Sequence, residues 1–244
     1  MKKICLNAGH YLNTAGKRCL KSLDPNETRE WFLNNRIISK IESLLSAYEG
    51  FKLLRVDDPS GKTDVSLKDR VTKANNFKAD IYISIHHNAG VNGGSGGGIV
   101  AYTYTNIDKI TAEWQKELYN SLIKFTGLKG NRSTPLAKAD LYECRKTTMP
   151  AVLLECGFMD SKTDVPIILS DEYANKCAQA IVEVIVPKMG LSKKPEAVKP
   201  ESNAGKKTIY RVQVGAYSVK ANAEKMRDDL KSKGYSAIVV SDTK

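Results

Sequence analysis

The sequence contains only three histidines, and each of them lies where a short apolar run ends. The run KKICLNAGH ends at His10, and the run ADIYISIHH ends at His86 and His87. In an open α/β sheet, ligands bind beyond the carboxyl ends of the strands. Imidazoles that meet at such an edge from distant parts of the chain indicate a metal site, since a neutral ring nitrogen is a common ligand of Zn²⁺.

Three glutamates are candidates to complete this site. Glu27 and Glu30 lie in DPNETRE at the expected start of a helix, and Glu155 follows the apolar run PAVLL. Two histidines, one carboxylate ligand and a second carboxylate as base are the equipment of a hydrolytic zinc site. An acid in the first helical turn is also favoured by the helix dipole alone, which is sufficient to explain one of the pair. Burial would raise the pKa of Glu155 toward neutrality, as a proton carrier requires.

Side chains alternate between the two faces of a strand, so His86 and His87 point in opposite directions. Ser84 and His86 share a face, and we expect His86 rather than His87 to be the ligand. One alternative is that the histidines are structural residues whose hydrogen bonds are satisfied within the core. Another is that the Glu155 carboxylate forms a buried ion pair. Cys156 points away from Glu155 and is expected to be a packed thiol rather than a nucleophile.

Regular elements must bring these distant residues together, and short apolar runs do alternate with segments of helical periodicity. The helical segments begin after Glu30 and near Leu67, Ile110 and Tyr173. This alternation predicts an α/β domain over residues 1–190, a three-layer sheet with helices on both faces. The strand candidates are 3–7, 51–56, 80–85, 98–104 and 151–155.

The chain of 244 residues has a net charge of +11, and most of the excess lies near its end. Residues 188–244 contain 13 Lys and Arg against 6 Asp and Glu, a net +7. Such a basic segment suits nucleic acid, a membrane surface or another anionic polymer. No run approaches the ~18–20 apolar residues that span a bilayer, and no motif typical of nucleic-acid readers is present. We therefore expect neither a membrane nor nucleic acid as a partner.

The chain's first residues and its cysteines bear on the compartment. After MKK, the apolar stretch covers only residues 4–6 before the chain reaches His10, so we expect no signal peptide and synthesis in the cytoplasm. The five cysteines form an odd set without CxxC spacing, which favours reduced thiols over a disulfide framework.

The last fifth of the chain reads as a linker and a small module. Residues 191–206 are rich in Lys, Pro, Ser and Gly and predict a basic linker. Residues 207–244 predict a βαβ unit, with strands at 209–214 and 237–241 around a helix. A unit of this size buries little core alone. A homodimer formed through residues 207–244 would cover its apolar face, while a monomeric, partly disordered tail is the alternative.

Four motifs in order resemble the zinc-dependent N-acetylmuramoyl-L-alanine amidases of the amidase_3 family. They are NAGH, TREWFLNNRI, SLKDRVTKANNFKADIYISIHHNA and LYECRKTTMPAVLLECGFMDSKTD, and the resemblance as a whole covers about residues 2–187. The resemblance implies that His10, Glu30 and His86 hold Zn²⁺ and that Glu155 is catalytic. Glu30 followed by Asn34 fits the family's helix start, whereas Glu27 does not.

Three positions depart from the family pattern, and none of them removes a ligand. Asn7 and Ala8 replace the usual Asp-Pro, and His87 stands where Ala is common. The resemblance implies hydrolysis of the amide between N-acetylmuramic acid and L-alanine in peptidoglycan. The setting would be a phage endolysin or a mother-cell autolysin that acts on the cell wall after release. The alternatives are a zinc peptidase that cuts elsewhere in the stem peptide, or a non-catalytic wall-binding protein.

The segment YRVQVGAYSVKANAEKMRDDLKSKGYSAIVV resembles the first half of a SPOR domain, a peptidoglycan-binding module built from two βαβ halves. This resemblance implies that residues 207–244 bind the cell wall.

Overall fold

A six-stranded sheet organises the first part of the chain, with the strand order β3-β1-β4-β7-β5-β6. The structure, a computed structural model, describes residues 1–195 and 213–241. A separate antiparallel pair joins two short strands, β2 and β8. The strands are β1 Lys2–Ala8, β2 Tyr48–Glu49, β3 Phe51–Arg55, β4 Ile81–Asn88, β5 Ile99–Thr103, β6 Leu136–Lys138, β7 Ala151–Phe158 and β8 Ser192–Lys193. The helices are α1 Glu30–Leu45, α2 Leu67–Phe77, α3 Lys109–Thr126, α4 Tyr142–Lys146, α5 Val165–Ile168, α6 Asp171–Met189 and α7 Lys220–Ser232.

The centre of the sheet is parallel. Strand β1 pairs in parallel with β3 and β4, and β4 pairs in parallel with β7. Only β5 runs antiparallel to its neighbour β7, and β6 then follows β5 in parallel. The carboxyl ends of β1, β4 and β7 therefore lie side by side at one edge.

The pleat of the central strands divides their side chains between two helical layers. Ile4, Leu6 and Ile83 belong to the larger apolar core, which helices α1, α3 and α6 cover. Cys5 and Tyr82 point to the opposite face, where a smaller cluster packs against α2 and α4. This arrangement confirms the three-layer α/β fold that the alternating pattern predicts.

Local capping explains where the helices begin and end. Ser66, Asp108 and Ser170 each accept a hydrogen bond from a backbone N–H in the first turn of α2, α3 and α6. Gly127 and Gly190 end α3 and α6 in the left-handed conformation. The four helices predicted in the first domain are confirmed. Periodicity did not reveal β6, α4 and α5, because elements of three to five residues are too short to show one.

Strands β4 and β7 run further than the apolar pattern indicates. They continue to Asn88 and Phe158, and His86 pairs with Glu155 across them, with an irregular register before Asn88. The histidines at 86 and 87 and Glu155 thus lie within strands rather than at their ends. Polar residues are tolerated at these positions because strand pairing uses backbone groups, and the side chains of His86 and Glu155 lie at the candidate site.

The first compact unit spans Met1–Lys194, and the second spans Pro195–Lys244. Leu191 is buried and β8 pairs with β2, so residues 191–194 belong structurally to the first unit rather than to a linker. The rest of the expected linker and most of the strand expected at 209–214 lie outside the described residues. No helix among the described residues is long and apolar enough to cross a membrane.

Within residues 213–241, helix α7 confirms the helix expected between the two predicted strands. The strand expected at 237–241 is not formed, and Ile238 is 80% exposed. A strand requires a hydrogen-bonded partner strand. The described residues of this unit offer no such partner to residues 237–241. The apolar pattern at residues 237–241 therefore indicates that this segment can pair as a strand, although it does not do so in this structure.

Candidate metal centre

Three side chains from separate parts of the chain converge near the carboxyl ends of β1 and β4. The donor atoms of His10, Glu30 and His86 all lie within 4.8 Å of one another. His86 Nδ1 is 3.1 Å from Glu30 Oε1, and His10 Nε2 is 3.4 Å from Glu30 Oε2. The two imidazole rings meet edge to face, with centroids 5.0 Å apart. The chain thus gathers two imidazoles and one carboxylate around one point.

Glu30 reaches this point because it is the first residue of α1. Its backbone N–H donates to the carbonyl of Lys17, and its side chain is 1% exposed. Glu27 behaves differently: it has a positive φ of 48° and pairs with Arg18 at 3.1 Å. Of the two acids in this segment, only Glu30 joins the cluster.

The turn after β1 presents His10. His10 has a φ of 68°, a strained conformation for a residue other than glycine. Gly9 lies directly against the His86 ring, and a Cβ on Gly9 would come within 2.1 Å of it. Arg70 donates to the carbonyl of His10 at 2.8 Å, and Asn34 donates to that of Gly9 at 3.1 Å. Hydrogen bonds from Arg70 and Asn34 therefore hold the turn in its strained form.

His87 stays outside the cluster, as the alternation along β4 predicts. Its Nδ1 lies 2.8 Å from Asn34 Oδ1, and its backbone N–H donates to Glu30 at 3.2 Å. Burial lowers the pKa of His87 to about 3, so the ring is neutral. His87 supports the position of α1 relative to β4.

Glu155 lies beside His86 in the sheet, since the two residues are register partners on β4 and β7. Burial raises the pKa of Glu155 to about 7, against the effect of the positive charge of His86. Its Oε2 is buried, and no hydrogen-bond partner for it exists within residues 1–195 and 213–241. A carboxyl group in this state can hold or release a proton near neutral pH.

The electrostatics of the cluster favour a positive charge at its centre. Burial would raise the pKa of Glu30, but interactions with His10 and His86 hold it well below its ordinary value. Burial would lower the pKa of His86, yet the carboxylates of Glu143 and Glu30 raise it to about 10. Glu30 Oε2 is buried without a hydrogen-bond partner among the described residues. Two imidazoles, a carboxylate and a free position fit a catalytic zinc ion.

Sequence reasoning missed two further charged residues at this site. Glu143 on α4 is buried, and its Oε2 lies 3.9 Å from His86 Nε2. Lys17 Nζ lies 3.7 Å from Glu30 Oε2. Glu143 lies in the charged run LYECRK, where an acid is usually solvated. The sequence carries no signal of its burial, because α4 is too short to show an apolar face.

The glycine-rich loop between β4 and β5 is fixed by two carboxylates that follow β7. Asp160 accepts hydrogen bonds from three consecutive backbone N–H groups, those of residues 90–92. Asp164 accepts from the N–H groups of Gly98 and Phe158. These backbone amides already donate to carboxylates, so they are not free to donate to a substrate oxygen.

Residues 4–186 match the family model Amidase_3, described as N-acetylmuramoyl-L-alanine amidase. The chain belongs to this family. The match covers the whole donor cluster and the sheet that carries it, and it confirms the resemblance seen in the four motifs. Residues 191–244 match the SPOR domain model, which confirms the second resemblance.

Similar proteins come from bacteria and from a phage. A sporulation-specific N-acetylmuramoyl-L-alanine amidase of Bacillus subtilis is 29% identical, over 98% of this chain and 85% of the relative. The endolysin of Bacillus phage SPP1 is 33% identical, over 82% of this chain and 70% of the relative.

Solved structures share the fold of the amidase domain. The catalytic domain of the amidase CwlV from Bacillus (Paenibacillus) polymyxa var. colistinus superimposes with a TM-score of 0.69 at 24% identity. That similarity covers 79% of this chain and all of the other. An N-acetylmuramoyl-L-alanine amidase from Clostridium difficile 630 also gives 0.69 at 24% identity, over 78% of this chain and 97% of the other.

Proposed function

We propose that this chain is a zinc-dependent N-acetylmuramoyl-L-alanine amidase that cleaves bacterial peptidoglycan. The observation that carries the proposal is the convergence of His10, Glu30 and His86 within 4.8 Å, next to a half-buried Glu155 whose Oε2 is shielded from solvent. Membership of the Amidase_3 family supports the amide between N-acetylmuramic acid and L-alanine as the bond that is cut.

The protein's own groups divide the work of hydrolysis. His10, Glu30 and His86 would hold the ion, which when bound lowers the pKa of a water molecule and polarises a carbonyl group. Glu155 takes up a proton at its carboxylate and delivers it to the nitrogen of the leaving amine. Its raised pKa suits both halves of this task, since the group exchanges a proton near neutral pH.

The second unit supports binding to the cell wall. It matches the SPOR domain model, and residues 188–244 carry a net charge of +7. Wall polymers with phosphate and carboxylate groups attract such a segment over about a Debye length. The two units would thus divide anchoring and cleavage between them.

Two settings fit a wall amidase of this kind, and the length of the similarity favours one of them. The similarity to the sporulation-specific amidase runs through 98% of this chain, against 82% for the phage endolysin. The longer match includes the basic second unit. We therefore favour a mother-cell lysin over a phage endolysin.

Mass spectrometry of the products released from purified cell walls tests the proposal. Cleavage by an amidase leaves free L-alanine amino groups on stem peptides and lactyl carboxylates on the glycan. Stem peptides cut at another bond would instead establish the peptidase alternative. Binding to walls without any released product would establish a non-catalytic wall-binding protein.

A further inference from the structure

Glu143 lies behind the donor cluster, on the side of His86 that faces away from Glu30. His86 Nδ1 is 3.1 Å from Glu30 Oε1, whereas its Nε2 is 3.9 Å from Glu143 Oε2. Within the described part of the chain, His86 Nε2 is buried and has no hydrogen-bond partner. The two nitrogens of the ring thus face two different carboxylates.

The other oxygen of Glu143 is fixed by two donors. Glu143 Oε1 accepts from Asn7 Nδ2 at 2.8 Å and from the hydroxyl of Tyr82. Arg70 donates to Asn7 Oδ1 at 2.7 Å, which orients the amide of Asn7 with its NH₂ group toward Glu143. The carboxylate is therefore held in one orientation, with Oε2 turned to His86.

The pleat of the sheet explains why Asn7, Tyr82 and His86 all lie close to Glu143. Asn7, Tyr82 and His86 lie on the face of β1 and β4 that α2 and α4 cover, and α4 brings Glu143 to the same face. An amide at position 7 is required by this arrangement, because a carboxylate there would lie 2.8 Å from that of Glu143. The hydrogen bond to Glu143 thus explains why Asn, rather than the Asp of the family pattern, suits position 7.

A histidine that binds a metal through one nitrogen carries its proton on the other, and that proton requires an acceptor. If Nδ1 of His86 faces the ion together with Glu30, the proton lies on Nε2. We propose that Glu143 is a positioning residue that accepts this proton's hydrogen bond and so fixes the tautomer and orientation of His86 for zinc. Closing 3.9 Å to hydrogen-bond distance requires a shift of about 1 Å.

This proposal rests on the proposed function only in taking His86 as a ligand, and zinc binding without substrate tests it. The variant Glu143→Gln in the full chain keeps an oxygen for Asn7 and Tyr82 but turns an NH₂ group toward His86. Two donors then face each other, which favours the tautomer with its proton on Nδ1. Competition with a chromophoric chelator should show zinc affinity about 10–100-fold weaker than in the wild type.

Asp57→Asn is the matched control, because it removes another buried carboxylate that lies near β1. Asp57 pairs with Arg55 and accepts from the backbone of Ala8. We expect zinc affinity close to that of the wild type in this variant. Equal weakening in both variants would assign the effect to lost buried charge and overturn the proposal. Unchanged zinc affinity in a folded Glu143→Gln variant would also overturn it.

Activity separates positioning from catalysis. Turnover by Glu143→Gln should recover as zinc approaches saturation, since the variant weakens a ligand and leaves the proton carrier intact. A loss that persists at saturating zinc would contradict a positioning role. Wild-type chain that binds no zinc would overturn both this inference and the proposed function, whereas normal zinc binding with an insensitive Glu143 overturns this inference alone.

A measurement on the wild type needs no variant. Nitrogen-15 spectra of the imidazole groups in the zinc-loaded chain involve only three histidines. His86 should show a zinc-bound Nδ1 and a protonated Nε2. Zinc on Nε2, or a proton on Nδ1, would overturn the proposal even if Glu143→Gln failed to fold.

Discussion

At the scale of single residues, Glu155 differs from Glu30 in what surrounds its carboxylate. Glu30 faces His10 and His86, which keep its pKa low, whereas burial raises that of Glu155 to about 7. Environments that move two carboxyl groups in opposite directions separate a ligand from an acid–base group. We therefore propose that the same residue type takes two roles within one site.

We expect Glu155→Gln to retain zinc and to lose about 10²–10⁴-fold in turnover, because the amide keeps the shape and cannot carry the proton. Release of muropeptides from purified walls measures the turnover, and metal analysis of the same sample measures the zinc. Turnover at the wild-type rate would exclude Glu155 as the proton carrier.

The two acids that precede and begin α1 should respond differently to loss of charge. Glu30→Gln should weaken zinc binding, because it removes the charged oxygen that faces both histidines. Glu27→Gln, a change in the same segment, should leave zinc binding intact, since Glu27 pairs with Arg18 outside the cluster. Chelator competition compares the two variants, and zinc loss in the Glu27 variant alone would reverse the assignment of the ligand.

At the scale of elements, the turn that follows β1 depends on Gly9. A Cβ at this position would lie 2.1 Å from the ring of His86, and the backbone of the turn is held by Arg70 and Asn34. Neither the ring nor the backbone can move away without breaking a contact of the site. Close approach of backbone and ligand is therefore built into this turn.

We expect Gly9→Ala to weaken zinc binding by at least about tenfold, since the added methyl group displaces His86. Gly16→Ala is its control, because Gly16 has a positive φ of 74° but open space around it. The control should cost stability of about 1 kcal/mol and leave zinc affinity unchanged. Equal zinc affinity in Gly9→Ala and the wild type would show that the turn tolerates a side chain.

At the scale of the whole molecule, the structure changes where the chain should be divided. The first unit includes Leu191 and β8, so a truncated enzyme should end at Lys194 rather than at residue 190. We expect the 1–194 chain to hydrolyse small soluble muropeptides nearly as fast as the full chain, and to bind whole walls less. Pull-down with purified walls measures the binding.

Salt separates charge from specific recognition in the same assay. Wall binding by the full chain should weaken between ~50 and ~300 mM salt, where the Debye length falls to ~10 Å and below. Binding that stays constant across this range would contradict a role for the net +7 of residues 188–244.

We also expect the chain to self-associate through its second unit. Its described residues expose apolar side chains, among them Val214 at 64% and Ile238 at 80%. Pairing of two copies through residues 207–244 would cover these groups about a two-fold axis. Sedimentation should show a dimer for the full chain at tens of micromolar, an order-of-magnitude choice for a weak contact, and a monomer for the 1–194 chain. A monomeric full chain would reject the dimer.

Local sequence patterns predict much of the fold. Helical spacing after Glu30 and near Leu67, Ile110 and Tyr173 predicts α1, α2, α3 and α6, because each buries one apolar face. Apolar runs predict the five main strands, though not that β4 and β7 continue through polar residues. The SPOR-like module is matched as a family, yet its expected strand at 237–241 is not formed, since strand pairing depends on a partner and not on the pattern alone.

The sequence by itself determined which residue types the site contains, because the motifs around His10, Glu30, His86 and Glu155 are local and recur in order. The motif around Glu30 already favoured Glu30 over Glu27, and the tertiary structure supplied the physical reason: Glu30 begins α1 and faces the histidines, whereas Glu27 has a positive φ and pairs with Arg18. Only the tertiary structure placed Glu143 behind His86. Burial of a charged side chain depends on contacts between distant elements, such as the one from Asn7 to Glu143, and no local pattern encodes such contacts.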